Sequence, residues 1–314
     1  MTGFSRNLFV MINCVLVFSL GSGMASAQAS AALSWTAQQS ISGSGTSAEP
    51  ALTPFGKRLY ALWKGTGTDT GLYWSSTDGT TWAGQQKMPN AGSSEGPGLA
   101  ALNGTLYAMW KGSQNDPAIY WASSGDGSTW SSQQLLGNRG TSAQPALAAY
   151  KGRLYAMWKG TGLDPGLYWS SSDGKTWTDQ QEILNIGTSE GPSLAVLGDR
   201  LYALWKGSHS DPALYWASTD GTSWTPQQKI VNTGTSAGPA LAAFGTQLYA
   251  LWKGTGTDTA LYWSSSDGTT WAAQRQMSNT GSSRGPALSA FDDRLYALWK
   301  GSGSDPGLYW ASGS

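Results

Sequence analysis

Six times along this chain a tryptophan and a lysine stand side by side, with an aspartate five residues after the lysine. The sets are Trp63, Lys64 and Asp69; Trp110, Lys111 and Asp116; Trp158, Lys159 and Asp164; Trp205, Lys206 and Asp211; Trp252, Lys253 and Asp258; and Trp299, Lys300 and Asp305. An aromatic plate, a cationic donor and an anionic acceptor are the groups that grip a saccharide. The ring stacks against C–H faces, and the charged groups bond hydroxyls. Several weak copies on one rigid body suit capture of a dense glycan surface, where avidity exceeds single-site affinity by about 10²–10⁴. These eighteen residues are therefore the candidate carbohydrate-binding set. The competing reading is structural: each Trp fills a core, and each Lys bridges its Asp at the surface for little gain in stability.

No other grouping competes as a site of chemistry. His209 occurs in one repeat only and has no metal-ligating neighbours at useful spacing. Glu95, Glu190 and Arg284 hold one loop position in alternate repeats, where they either tune every second site or are simply solvated. No glycine-rich loop follows a strand and opens a helix, so the 42 glycines read as turn residues. No place along the sequence gathers an unrepeated acid, base and nucleophile. The expectation is accordingly no catalytic residues, no metal and no cofactor. Lys and Arg together number 19, as do Asp and Glu, so no field draws nucleic acid to the chain.

The candidate residues are carried by a repeat. Leu-Tyr-Ala-Leu/Met-Trp-Lys-Gly starts at Leu59, Leu106, Leu154, Leu201, Leu248 and Leu295, at intervals of 47 or 48 residues. A Tyr-Trp pair follows each copy, and an Asp-Gly-x-x-Trp follows the first five pairs, ending at Trp82, Trp130, Trp177, Trp224 and Trp271. The sixth member of this last set lies at the other end of the chain, as Trp35 in "LSWTAQQSI". Three per repeat accounts for all 18 Trp. For the Tyr-Trp and Asp-Gly-x-x-Trp sets the reading leans to packing. For the Trp-Lys-Gly set it is balanced between core and ligand.

Each repeat reads as four short strands separated by turn residues, as in 239–244, 248–253, 261–264 and 271–277. The Asp-Gly turn between the third and fourth supplies the positive φ of a hairpin. Four antiparallel strands taken six times predict an all-β fold, a six-bladed β-propeller. Trp35–Ile41 is expected to join the last blade as its outer strand, beside Leu308–Ala311, and so close the ring. An open solenoid is the alternative, but capping repeats are lacking. Tyr-Trp-Ser-Ser alternating with Tyr-Trp-Ala-Ser suggests three copies of a two-blade unit.

"SSDGTTW" (Ser265–Trp271) resembles the Asp-box hairpin of sialidase-type propellers, although its Asp and Gly are adjacent here. The whole repeat is similar to those of secreted propeller lectins, including the tachylectin type. That resemblance implies a multivalent glycan-binding protein without catalysis. It does not carry sialidase activity across, because Arg58, Arg153, Arg200 and Arg294 are spread around the ring before the second strands and read as solvated turn residues. A glycoside hydrolase or lyase acting in the central channel is the alternative, which acids gathered on the innermost strands would favour. A protein-interaction scaffold is another, which a broad apolar face would favour.

Residues 1–27 read as a secretory signal: Arg6, an apolar run at Leu8–Leu20 and "ASA" at Ala25–Ala27. The propeller is expected to span 28–314, without membrane insertion of the mature chain, in a secreted or periplasmic location. The only Cys, Cys14, lies in the leader, so stability must come from packing.

Overall fold

The computed structural model describes residues 33–314, together with residues 1 and 3. The remainder of the expected leader, Cys14 included, lies outside the described residues.

Among the described residues, twenty-four strands form six four-stranded antiparallel sheets. Strand β1 (Gln39–Gly45) comes first. Blade 1 holds β2 (Ala51–Phe55), β3 (Arg58–Lys64), β4 (Gly71–Thr77) and β5 (Gln86–Gly92). Blade 2 holds β6 (Gly98–Leu102), β7 (Thr105–Lys111), β8 (Ala118–Ser124) and β9 (Gln134–Gly140). Blade 3 holds β10 (Ala146–Tyr150), β11 (Arg153–Lys159), β12 (Gly166–Ser172) and β13 (Gln181–Gly187). Blade 4 holds β14 (Ser193–Leu197), β15 (Arg200–Lys206), β16 (Leu214–Thr219) and β17 (Gln228–Ile230). Blade 5 holds β18 (Ala240–Phe244), β19 (Gln247–Lys253), β20 (Leu261–Ser266) and β21 (Arg275–Met277). Blade 6 holds β22 (Ala287–Phe291), β23 (Arg294–Lys300) and β24 (Gly307–Gly313), and β1 completes it. The expected six-bladed propeller is therefore the fold, and among the described residues no helix forms.

Closure runs through the expected pair of strands, displaced by a few residues. Gln39 pairs with Trp310 and Ser40 with Tyr309. Trp35 makes only a single bridge, to Gly313, because the segment after each Asp-Gly turn departs from the ladder before the outer strand begins. Thr36 N–H still donates to the Ser312 carbonyl at 2.8 Å. This leaves β24 flanked on both sides, so no blade exposes an unpaired inner edge.

The innermost strands alternate small and aliphatic residues, as in "ALAAF" of β18, because six of them must converge on one axis. The second strand of each blade is buried almost throughout. Its large side chains fill the space between adjacent sheets: Trp63 packs with Leu298 and Leu308 of blade 6, and Trp110 with Leu62 and Leu72 of blade 1. Burying about 150–250 Å² of each ring at about 25 cal/mol per Å² gives an upper bound of roughly 4–6 kcal/mol per Trp. The four arginines read as solvated turn residues begin their strands instead. Arg58 Nε donates to Ser76 Oγ at 2.8 Å and Arg200 Nε to Ser218 Oγ at 3.0 Å, clipping the second strand to the third.

Candidate functional site

The structure separates the three members of each Trp-Lys-Asp set. Trp63, Trp110, Trp158, Trp205, Trp252 and Trp299 are all 0% exposed. They offer no ring face to a ligand, and the stacking role expected of them gives way to packing. The reason is alternation. A strand ending in Trp-Lys between two neighbouring blades sends the Trp inward, while the long lysine stem turns towards the hairpin.

Lys64, Lys111, Lys159, Lys206, Lys253 and Lys300 are also buried. Lys64 Nζ donates to Ser47 Oγ at 2.7 Å and to the main-chain carbonyls of Gly67 and Asp69, each at 3.1 Å. Lys253 repeats the pattern with Ser236 Oγ, Gly256 O and Asp258 O. The expected bridge from Lys to the Asp carboxylate is replaced by this cage of carbonyls. Burial pulls each ammonium below its usual pKa, and the nearby carboxylates of Asp69 and Glu95 oppose that at Lys64.

The carboxylate caps its own hairpin. Asp69 Oδ1 accepts from Gly71 N–H at 2.9 Å, and Oδ2 accepts from Tyr73 Oη at 2.8 Å. Gly65 must be glycine here, since a Cβ would stand 2.5 Å from Asp69 Oδ2. The Thr-Ser or Ser-Ser pair before each inner strand completes the rim. Thr46 N–H donates to Pro306 O at 2.8 Å on one hairpin, and Ser47 Oγ donates to Gly65 O at 2.9 Å on the next. The Trp-Lys-Asp motif thus binds neighbouring blades together. Of the motif's charged and aromatic groups, the Asp and its Tyr partner are the ones that remain partly or fully exposed at this rim.

Buried and half-buried aromatics lie in the clefts between blades. One wall of each cleft is the Trp of a Tyr-Trp pair. The other is the hairpin Trp of the following blade. Trp169 of blade 3 and Trp224 of blade 4 meet edge to face, with ring centroids 6.4 Å apart at 72°. Trp121 and Trp177 repeat this at 6.3 Å, and Trp310 and Trp82 at 6.4 Å. In the cleft between blades 3 and 4 both rings are only half-buried. That cleft has a volume of about 630 Å³. Its polar lining is Gln181, Glu182, Asn185, Thr222, Ser223, Thr225 and Gln227. The Trp224 Nε1–H is buried and has no acceptor among the described residues, as is true of ten other tryptophans, core Trp63 and Trp252 among them.

These rings belong to the two Trp sets that the sequence reading inclined to packing. The motif positions looked alike in one dimension. The missing signal is strand position, because residues near the outer strand meet solvent and those on the second strand do not.

A second grouping lies on the axis. Glu49, Glu95, Glu190, Arg284 and Gln144 come from five different blade junctions and line one mouth of the central channel, a pocket of about 190 Å³. Unrepeated acids and an arginine gather here, a juxtaposition that the linear sequence does not display. Loops that lie about one or two repeats apart in sequence become neighbours where six blades converge. Burial, reinforced by the charge of Glu49, raises Glu190 to about 7 and moves Glu95 the same way. Gln144 Nε2 donates to Pro97 O at 2.6 Å, so its side chain crosses from one inner strand to the next.

No protein-family model and no curated protein matches this chain. Solved structures do. A Dyadobacter fermentans protein of unknown function matches with a TM-score of 0.69 at 13% identity, over 90% of this chain and 98% of its own. The Aleuria aurantia lectin, solved with Fucα1-6GlcNAc, matches with 0.63 at 15%, over 84% and 91%. The leech intramolecular trans-sialidase matches with 0.67 at 11%, over 88% and 70%. At these identities the likeness establishes the fold. The chain is a β-propeller whose structural neighbours include lectins and sialidases. Among the described residues no helix is long and apolar enough to cross a membrane.

Proposed function

We propose that this protein is a non-catalytic lectin that holds glycans in the clefts between its blades, and that it acts after export from the cell. The carrying observation is the pair of tryptophans at each cleft, set beside amides and hydroxyls between blades 3 and 4. Aromatic rings with a few directed polar groups suit a sugar, which presents an apolar C–H face and a belt of hydroxyls. The fucose-bound lectin among the structural neighbours supports the class of ligand. In this reading the exposed Asp carboxylates of the original eighteen residues serve at most the edge of a site, and the buried Trp and Lys hold the scaffold.

Glycan-array screening of residues 28–314, with a Trp224→Ala variant beside the parent, tests the proposal. Binding by the parent and loss in a variant that remains folded is the expected result. A parent that binds no glycan overturns it.

The axial carboxylates favour the second reading, a glycosidase working at the channel mouth, because glycoside hydrolysis uses a pair of acids with separated pKa values. Hydrolysis of a chromogenic glycoside, abolished by Glu190→Gln, would establish that reading against the first.

A further inference from the structure

The six clefts share a plan, and their contents differ. At the position of Ile186 in β13, the blade 2 strand β9 carries Arg139. Its guanidinium reaches across the cleft between blades 2 and 3. Nη1 donates to Ser170 Oγ at 3.4 Å, and Nη2 donates to the Thr178 carbonyl next to the wall residue Trp177. Burial lowers the Arg139 pKa, as expected of a guanidinium inserted between sheets. At the position of Gln181, the blade 5 strand β21 carries Arg275. Its guanidinium lies over the ring of Trp263, 5.4 Å from the centroid, so the face that a sugar would use is already covered by a cation–π contact. In these two clefts and in the remaining three, one wall is nine-tenths buried: Trp121 at 5%, Trp263 at 7%, Trp130 at 8%, Trp216 at 5% and Trp310 at 5% exposure.

The cleft between blades 3 and 4 differs on every count. Among the described residues no arginine or lysine lines it and its only charged group is Glu182, while both of its rings are half-buried. A carboxylate beside amides and hydroxyls accepts hydroxyl protons and repels an anion.

We infer that the cleft walled by Trp169 and Trp224 is the principal ligand site, that it selects uncharged saccharides over acidic ones, and that Arg139 and Arg275 act as internal plugs closing two further sites. This inference rests on the lectin reading above and deepens it. It replaces six equivalent sites with one open site and two that the chain's own side chains occupy. A sugar entering a plugged cleft must displace a guanidinium from a ring face or from a carbonyl. One such contact is worth about 0.5–2 kcal/mol, enough to weaken binding roughly 2–30-fold.

The test is titration calorimetry of residues 28–314 with methyl α-fucoside and, as acidic comparator, 3′-sialyllactose. Where the array identifies a better uncharged glycan, that glycan replaces the fucoside. The expected result is one site per chain for the uncharged sugar, at least 10-fold weaker binding of the sialylated one, and loss of the site in Trp224→Ala. Arg139→Ala and Arg275→Ala should each add a second site and leave the first unchanged. Circular dichroism of each variant confirms that the sheets are intact. Two or more equal sites in the parent, preference for the acidic sugar, or no gain of stoichiometry in both arginine variants overturns the inference while leaving the lectin reading standing. Binding of no glycan by any variant overturns both.

Discussion

Lys64 Nζ and Ser47 Oγ lie 2.7 Å apart. Ser47 sits in the loop entering blade 1, and Lys64 ends the second strand of that blade. Their hydrogen bond fixes the loop to the hairpin. The same bond recurs at Lys111–Ser94, Lys159–Ser142, Lys206–Ser189, Lys253–Ser236 and Lys300–Ser283, at 2.6–2.8 Å. A residue that looks like a ligand donor in the sequence is thereby committed to holding the rim of the ring.

Replacing Lys253 by Met keeps the apolar stem and removes the ammonium. Three carbonyls and a hydroxyl lose their donor in a buried setting. Unfolding in guanidinium should show a loss of about 2–4 kcal/mol, with glycan binding unaltered. A loss of binding at unchanged stability would return Lys253 to the ligand site.

Trp252→Ala should be costlier still. The ring is 0% exposed, and truncating such a residue costs about 3–5 kcal/mol through lost burial and the cavity left behind. The partly exposed Trp224 should cost much less when truncated to Ala. Comparing the two midpoints checks the division of the tryptophans into scaffold and surface.

The axial mouth makes stability depend on pH. Glu190 is raised to about 7 in the fold, against an ordinary value of 4.5. A raised carboxylate pKa means that the folded state binds more protons than the unfolded one between these two values. The penalty is absent below about pH 4.5, grows as pH rises, and is complete above about 7. Glu190→Gln should therefore melt with the parent near pH 4.5 and above it at pH 8. Partial exposure and screening hold the difference to about 1–2 kcal/mol, or roughly 2–8 °C. Parallel melting curves across that range would refute it.

Deleting residues 28–45 removes β1. The blade 6 edge at Gly307–Gly313 is then unpaired, and Ile41 no longer covers Leu308 and Trp310. Thermal stability should fall by several kcal/mol, and the truncated chain should self-associate through the open edge. An unchanged melting temperature would show that closure contributes little.

The sequence and the structure agree where the signal is periodic. The repeat length, the four-strand unit and the placement of Trp35 beside the last blade are all properties of order along the chain, and they define the propeller. The site is harder to read because exposure depends on where a strand sits in its sheet. Trp63 and Trp74 are 11 residues apart and flank one hairpin, yet the first is sealed between blades and the second reaches a cleft. The axial cluster is harder again. Glu49, Glu95 and Glu190 are ordinary loop residues in sequence, and only the convergence of the ring makes them neighbours. Arg139 likewise looks like a surface arginine in a polar strand until the next blade is placed against it.

Closure by β1 also means that the ring has a seam rather than a beginning. The register joining β1 to β24 is the one joining the outer two strands of blades 1, 2 and 3. A circular permutant that links 314 to 34 and opens the chain at another Asp-Gly hairpin, such as Asp173–Gly174, would move the seam to blade 3 and rebuild the same molecule. The order of the blades around the axis is the constraint that this chain encodes, and the point at which translation starts is separable from it.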